Sequence, residues 1–166
     1  MKNLLPAIAC LFALSATSQT PYTYTKEGAD VILNGMISKY ILLNDSAFSW
    51  YKQSAASYTP PADAVQALSS APSNVSILVF GGTWCEDTQN ILPKFFALQE
   101  KSGFADSRIA FFGVDRSKKT LGNVAGVMGI TNVPTIIVMK GGQEVGRVVE
   151  YGKTGKWDEE LAALLK

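Results

Sequence analysis

One cysteine lies at the centre of the stretch VFGGTWCEDTQNILPKF, in a setting typical of reactive thiols. An apolar run leads into two glycines and Trp84, and Cys85 then precedes the predicted first turn of a helix. A cysteine at a helix N-terminus faces unpaired backbone N–H groups and the positive end of the helix dipole, which favour the thiolate. Because the thiolate is the nucleophile of thiol–disulfide exchange, the pattern predicts that chemistry at Cys85.

The three residues after Cys85 restrict what this thiol can do. Thr88 occupies the position where a second cysteine would complete a C-x-x-C pair, and a threonine cannot attack a mixed disulfide. Its hydroxyl either donates a hydrogen bond to the Cys85 sulfur or simply caps and packs the helix start. Glu86 and Asp87 suit the helix dipole but oppose negative charge on the sulfur, so they either tune the thiol or contact the substrate, or they only cap the helix.

Composition excludes several other kinds of site. The 166 residues fit one domain with some decoration, and 47% hydrophobic and 17% charged residues are typical of a globular protein. The net charge of +1 gives no reason to expect a nucleic-acid partner. The absence of histidine excludes Ser-His-Asp and Cys-His catalysis, and two cysteines cannot supply a four-thiolate site. We therefore expect no metal and no cofactor.

Residues 1–18 have the anatomy of a cleaved signal peptide, with an early lysine, an apolar run and a small-residue stretch. The apolar run from Leu4 to Leu14 is too short to span a bilayer. A lipoprotein anchored through Cys10 is not favoured, because only nine residues precede that cysteine. We expect an exported protein, periplasmic or secreted, in which Cys85 is the one remaining cysteine. A buried, inert Cys85 is the alternative, because oxidising compartments normally consume free thiols.

Residues 19–74 are predicted to form a helical extension that packs on the rest of the chain. The apolar spacing in KEGADVILNGMISKYILL favours a helix. A second short helix is expected in AFSWYKQSAASY, and a third from a cap at Thr59 to about Leu68. The aromatic residues of this segment are expected to pack against the core, with ligand binding as the alternative; they are Phe48, Trp50, Tyr51 and Tyr58.

Residues 75–166 show a different pattern, in the order strand, helix, strand, helix, strand, strand, helix. VSILVF and RIAFFGVD read as buried strands on either side of a long helix that ends at Gly103. SKKTLGNVAGVMGI is predicted to be a helix loosened by glycines, and Gly141-Gly142 marks a hairpin between the last two strands. The fold predicted from this order is α/β, a mixed four-stranded core sheet flanked by helices.

Residues 75–166 also resemble the thioredoxin-like family. WCEDTQNILP matches the W-C-x-x-C site with a proline eight residues after the first cysteine. GVD at residues 113–115 matches the end of the next core strand, and GITNVPTIIVMKGGQEVGR matches the family's G-I-x-x-x-P-T segment and its hairpin. The resemblance implies a thioredoxin-like fold for this domain and says nothing about residues 21–74.

The resemblance also implies roles for individual residues. Pro134 stands where the family has a cis-proline, which would leave the Val133 backbone free to pair with an extended substrate beside the sulfur. Trp84 would supply apolar contact for the partner. Val79 occupies the position of the family's buried strand aspartate, and its loss is coherent with the loss of the second cysteine at Thr88.

The sequence is compatible with two main functions. The first is monothiol thiol–disulfide exchange through Cys85, with a protein or low-molecular-weight thiol or disulfide as partner and an external thiol for release. The second is a non-catalytic module that holds a peptide or protein beside Trp84 and Pro134. A third possibility is covalent tethering or redox sensing through Cys85. Peroxidase chemistry is set aside, because Thr83 lacks the spacing to the cysteine that peroxiredoxins use.

Overall fold

The computed structural model describes residues 21–166. The predicted signal peptide, its cleavage site and Cys10 lie outside the described residues. One mixed sheet has the strand order β1-β2-β4-β3-β5-β6. Its strands are β1 (Tyr22–Glu27), β2 (Asp30–Ile37), β3 (Val75–Gly81), β4 (Ile109–Gly113), β5 (Thr135–Lys140) and β6 (Gln143–Val149). The helices are α1 (Lys39–Asn44), α2 (Trp50–Ala56), α3 (Ala62–Ser69), α4 (Glu86–Ser102), α5 (Val124–Val127) and α6 (Trp157–Leu164).

The four strands β3 to β6 form the predicted mixed core. β3 and β4 are parallel and are joined by the crossover through α4, while β5 pairs antiparallel with both β3 and β6. The α/β fold with a sheet flanked by helices is thus confirmed. Gly141 and Gly142, both with positive φ, form the hairpin turn between β5 and β6. Gly103 ends α4 in the left-handed conformation, as expected.

The sheet has six strands in the described chain, so the prediction of four was wrong. The helix predicted across residues 26–43 is instead the β1–β2 hairpin followed by the short α1. Leu33, Gly35 and Ile37 alternate toward the buried side of β2, and Gly28 turns the hairpin with a φ of 63°. Pairing of β2 with β4 joins this hairpin to the core sheet. This long-range pairing overrides the local helical pattern.

The rest of the extension is helical, as expected. The buried Phe48 and Tyr51 belong to the same apolar cluster as Phe95 on α4, and Trp50 and Tyr58 pack against that cluster. The prediction that the aromatics pack on the core is therefore confirmed. α3 begins after Pro61 rather than at Thr59, so the predicted cap is displaced by two residues. The proposed boundary at residues 74 and 75 stays a prediction.

Two smaller features complete the described chain. The helix predicted in SKKTLGNVAGVMGI is reduced to a 3₁₀ turn at Leu121–Asn123 followed by the single-turn α5, because Gly122 and Asn123 both have positive φ. None of the helices in residues 21–166 is long and apolar enough to cross a membrane.

Candidate functional site

Cys85 caps the N-terminus of α4 with an extended backbone, φ −94° and ψ 124°. Its amide N–H donates to the Gly82 carbonyl at 2.9 Å, and its own carbonyl accepts from the Gln89 N–H at 2.9 Å. The side chain is half-buried, and the thiol donates to the Val133 carbonyl oxygen at 3.2 Å.

Val133 and Pro134 lie beside this thiol and are joined by a cis peptide bond. Within residues 21–166 the Val133 N–H makes no hydrogen bond, although the side chain is buried. Trp84 and Cys85 both pack against the apolar cluster that contains Val133 and Ile130. The structure therefore brings together four residues that the sequence analysis placed at one site, and the Val133 N–H has no hydrogen-bond partner among the described residues.

Trp84 is held in place at three points. Its indole Nε1–H donates to the Val114 carbonyl at 3.0 Å. A Cβ added to Gly82 would lie 2.7 Å from the indole, so the absence of a side chain there lets the ring fold back over the loop. The Arg116 guanidinium and the Lys118 ammonium lie 5.3 and 5.9 Å from the ring centroid. Trp84 is thus a fixed, half-buried wall of the site.

Thr88 is fully buried directly behind the cysteine loop. Its hydroxyl accepts a hydrogen bond from the Gly82 N–H at 3.2 Å. A Cβ added to Gly81 would lie only 2.9 Å from the Thr88 methyl group. Within the described residues Thr88 makes no hydrogen bond with Cys85. Its contacts are those of a packing residue that shapes the loop, and a direct part in the chemistry stays a prediction.

The charged neighbours of Cys85 lie toward solvent. Glu86 is exposed, Asp87 is half-buried, and both belong to the first turn of α4. Neither forms an ion pair with any other described residue. Val79 is fully buried in β3, so an apolar side chain fills the position of the family's aspartate. A role for the two carboxylates in tuning the thiol stays a prediction.

Two features of the site were missed from the sequence. Thr83, considered only for peroxidase spacing, is 3% exposed and bonds through its hydroxyl to Val31 and Leu33 of β2. Asn132, just before the cis bond, donates from its side chain to Glu150 at 2.8 Å. These partners lie 50 or more and 18 residues apart in the chain, beyond any local sequence signal.

The described residues contain no group of three or more His, Cys, Asp or Glu side chains that could hold a metal ion. The chemistry available at the site is therefore that of one sulfur, one fixed indole, a free backbone N–H and a buried hydroxyl. Such a set can form a single covalent bond to a partner sulfur and pair with an extended partner backbone.

A sequence model of the family described as thioredoxin matches residues 38–159. Among curated relatives, thioredoxin H2-2 of Oryza sativa subsp. japonica is 35% identical over 80 residues. These residues are 48% of this chain and 55% of that relative, so the match spans about half of the rice protein. The thioredoxin of Listeria monocytogenes is 29% identical over 82 residues, 49% of this chain and 75% of its own length.

A solved structure shares this fold. A Pseudomonas aeruginosa protein of unknown function superposes with a TM-score of 0.56 at 16% identity, covering 76% of this chain and 89% of that one. The thioredoxin of Fasciola hepatica is 27% identical over 56% of this chain and 82% of its own, with a TM-score of 0.42.

Proposed function

Because the chain belongs to the thioredoxin family, we propose that it performs thiol–disulfide exchange through the single thiol of Cys85. The observation that carries the proposal is the half-buried Cys85 side chain at the start of α4, with Thr88 where a second thiol would stand.

The exchange balances in two steps. The Cys85 thiolate attacks one sulfur of a partner disulfide, forming a Cys85–partner disulfide and releasing the other partner sulfur as a thiolate. An external thiol then attacks the partner sulfur of this mixed disulfide, gives up its proton and leaves Cys85 as a thiolate again. The external thiol and the first partner thus end as a new disulfide. Thr88 cannot perform the second step, because a hydroxyl does not displace a thiolate from sulfur under these conditions.

The surroundings of Cys85 support the first step. Cys85 is the N-cap residue of α4, at the helix end where backbone N–H groups have no partner within the helix. The free N–H of Val133 can pair with the backbone of an extended partner, while the indole of Trp84 contacts its side chains. We expect a protein or peptide disulfide as the partner, and a low-molecular-weight thiol such as glutathione as the releasing agent.

A second candidate function is a non-catalytic binding module that uses the same residues, Trp84 and Pro134. The observation that favours it is the hydrogen bond from the protonated Cys85 thiol to Val133 O, together with the buried Thr88. In that case the partner is held beside Trp84 and Pro134 without a covalent step.

We also propose, from the pattern of residues 1–18, that the protein acts outside the cytoplasm.

One experiment separates the two functions. All proteins carry Cys10→Ser, so that Cys85 is the only thiol. A peptide disulfide is added, and intact mass spectrometry follows the protein before and after reduced glutathione. We expect one peptide adduct that glutathione removes, and no adduct with Cys85→Ser. A parent protein that forms no adduct, together with peptide binding that survives Cys85→Ser, would instead support the binding module.

A further inference from the structure

The first half of β2 extends beyond the end of β4. It contacts two loops near Cys85, residues 82–84 before the cysteine and residues 114–121 after β4. β2 pairs with β4 only through Gly35–Ile37, which lie opposite Phe111–Gly113. Residues 30–34 continue past that point. Their inner edge therefore has no strand beside it, and its hydrogen bonds go to loop residues instead.

Thr83 provides the hydrogen-bond partners that a neighbouring strand would otherwise provide along this edge of β2. Its hydroxyl donates to the Val31 carbonyl at 2.6 Å and accepts from the Leu33 N–H at 3.2 Å. Its own carbonyl accepts from the Gln89 side-chain amide at 2.9 Å. Thr83 immediately precedes Trp84 and is buried, so one residue ties the turn before the cysteine to β2 and to the first turns of α4.

The second loop is tied to β2 in the same way. The Asn34 side chain donates to the Lys119 carbonyl at 3.2 Å and accepts from the Leu121 N–H at 2.8 Å. Arg116 pairs with Glu27 and Asp30 on either side of the hairpin turn. This second loop begins at Val114, whose carbonyl accepts the hydrogen bond from the Trp84 indole. The loop that contains Thr83 and the loop that begins at Val114 are therefore both hydrogen-bonded to the β1–β2 hairpin.

We infer that Thr83 is a positioning residue, through which the β1–β2 hairpin fixes the geometry of attack by the Cys85 sulfur. The inference rests on the proposed exchange function. Both hydrogen-bonding capacities of the Thr83 hydroxyl are used on one strand edge, and a residue that only filled space would need neither. A reacting atom misplaced by about 1 Å can lose on the order of a hundredfold in rate, so a single buried hydroxyl in this position has a measurable effect.

The test compares Thr83→Val with Thr83→Ser, both carrying Cys10→Ser. Valine keeps the shape of the side chain but removes its donor and acceptor, whereas serine keeps both. The readouts are the rate constant of Cys85 with a small aromatic disulfide and the exchange protection of the Trp84 indole N–H. We expect Thr83→Val to react about tenfold slower and to lose indole protection, while Thr83→Ser returns to the parent rate. Lys39→Met, at the opposite end of α4, is the control for general destabilisation and should leave the rate unchanged.

A folded Thr83→Val that reacts at the parent rate, with a protected Trp84 indole, would overturn the inference. Should Thr83→Val fail to fold, Thr83→Ala removes the hydroxyl with less steric demand, and the same criteria apply. The small disulfide separates this inference from the proposed function. If the parent reacts with it but forms no adduct with peptide disulfides, the exchange function fails while the positioning role of Thr83 is still measured.

Discussion

The Thr88 hydroxyl accepts a hydrogen bond from the backbone N–H of Gly82 at 3.2 Å, and the Thr88 side chain is fully buried. Thr88, the third residue after Cys85, is thus part of the loop structure that leads to Cys85. A hydroxyl is better suited to this bond than a thiol, because sulfur is a weak acceptor. Thr88 therefore has a structural role in this loop that a cysteine would fill less well.

That bond gives a first prediction. In Thr88→Val the Gly82 N–H loses its acceptor, because a methyl group replaces the hydroxyl at nearly the same volume. We expect the Gly82 amide to exchange with solvent faster than in the parent, and the protein to lose about 1–3 kcal/mol of unfolding free energy. NMR hydrogen exchange measures the first effect and denaturant unfolding the second. Thr88→Ser, which keeps the hydroxyl, should retain the protection; equal Gly82 exchange in the two variants would contradict the assignment.

A second prediction concerns the packing of Trp84 on Gly82. A Cβ at Gly82 would lie 2.7 Å from the indole, so Gly82→Ala must displace the ring. We expect a cost of about 1–3 kcal/mol, typical of overpacking, and loss of the Trp84–Val114 hydrogen bond. In a Trp84→Ala background the same substitution should cost clearly less, since the clash is gone. Chemical denaturation of the four proteins gives this coupling, and strictly additive costs would show that the two residues do not interact.

A third prediction concerns the ion pair between the buried Lys39 and Asp106, at the opposite end of α4 from Cys85. Lys39 is 6% exposed, and its ammonium contacts Gln99, Glu100 and Asp106 at 2.8, 2.9 and 3.0 Å. Burial would lower the pKa of Lys39, but the two carboxylates outweigh it and raise this pKa above 10.5. For Asp106, partial burial would raise the pKa, but hydrogen bonds from Lys39 and Tyr40 hold it below 3.8.

The sign of the pH dependence follows from the lowered pKa of Asp106. A carboxyl with a lowered pKa in the folded state stabilises the fold above its unfolded pKa, here the ordinary value of 3.8, and the effect is lost as pH falls through the folded value. We expect the Tm difference between the parent and Asp106→Asn to be full near about pH 6 and to shrink below about pH 4. Asp63→Asn, outside this network, is the matched control. A difference that is constant down to acid pH would rule out the ionic contribution.

The core was predictable because its signals are local. β3 is a short β-branched run, and α4 combines a wide apolar face with a glycine stop at Gly103. The thiol and its partner Val133 lie 48 residues apart, and only the resemblance to a known family placed them together. The sequence pattern alone contained no signal for that contact.

The β1–β2 hairpin was not predictable by the same means. Ile32 and Leu33 are adjacent and both buried, so the strand lacks a clean alternation and its spacing also fits a helix. Its stability as a strand depends on pairing with β4, some 75 residues later, and on Thr83. Local propensity carries neither contact, and the positioning role of Thr83 was missed for the same reason.

The lone-thiol chemistry of Cys85 is tested most directly by asking whether a peptide joined to Cys85 through a disulfide can be released without an external thiol. The parent, Thr88→Ser and Thr88→Cys, all carrying Cys10→Ser, are loaded with one equivalent of a peptide disulfide. The peptide thiol released by loading is removed by rapid desalting, and intact mass spectrometry then follows each protein in thiol-free buffer. We predict that the parent and Thr88→Ser keep the peptide, while Thr88→Cys expels it as a free thiol and retains an internal disulfide. Spontaneous release from the parent as fast as from Thr88→Cys would contradict the claim that Cys85 acts as a lone thiol.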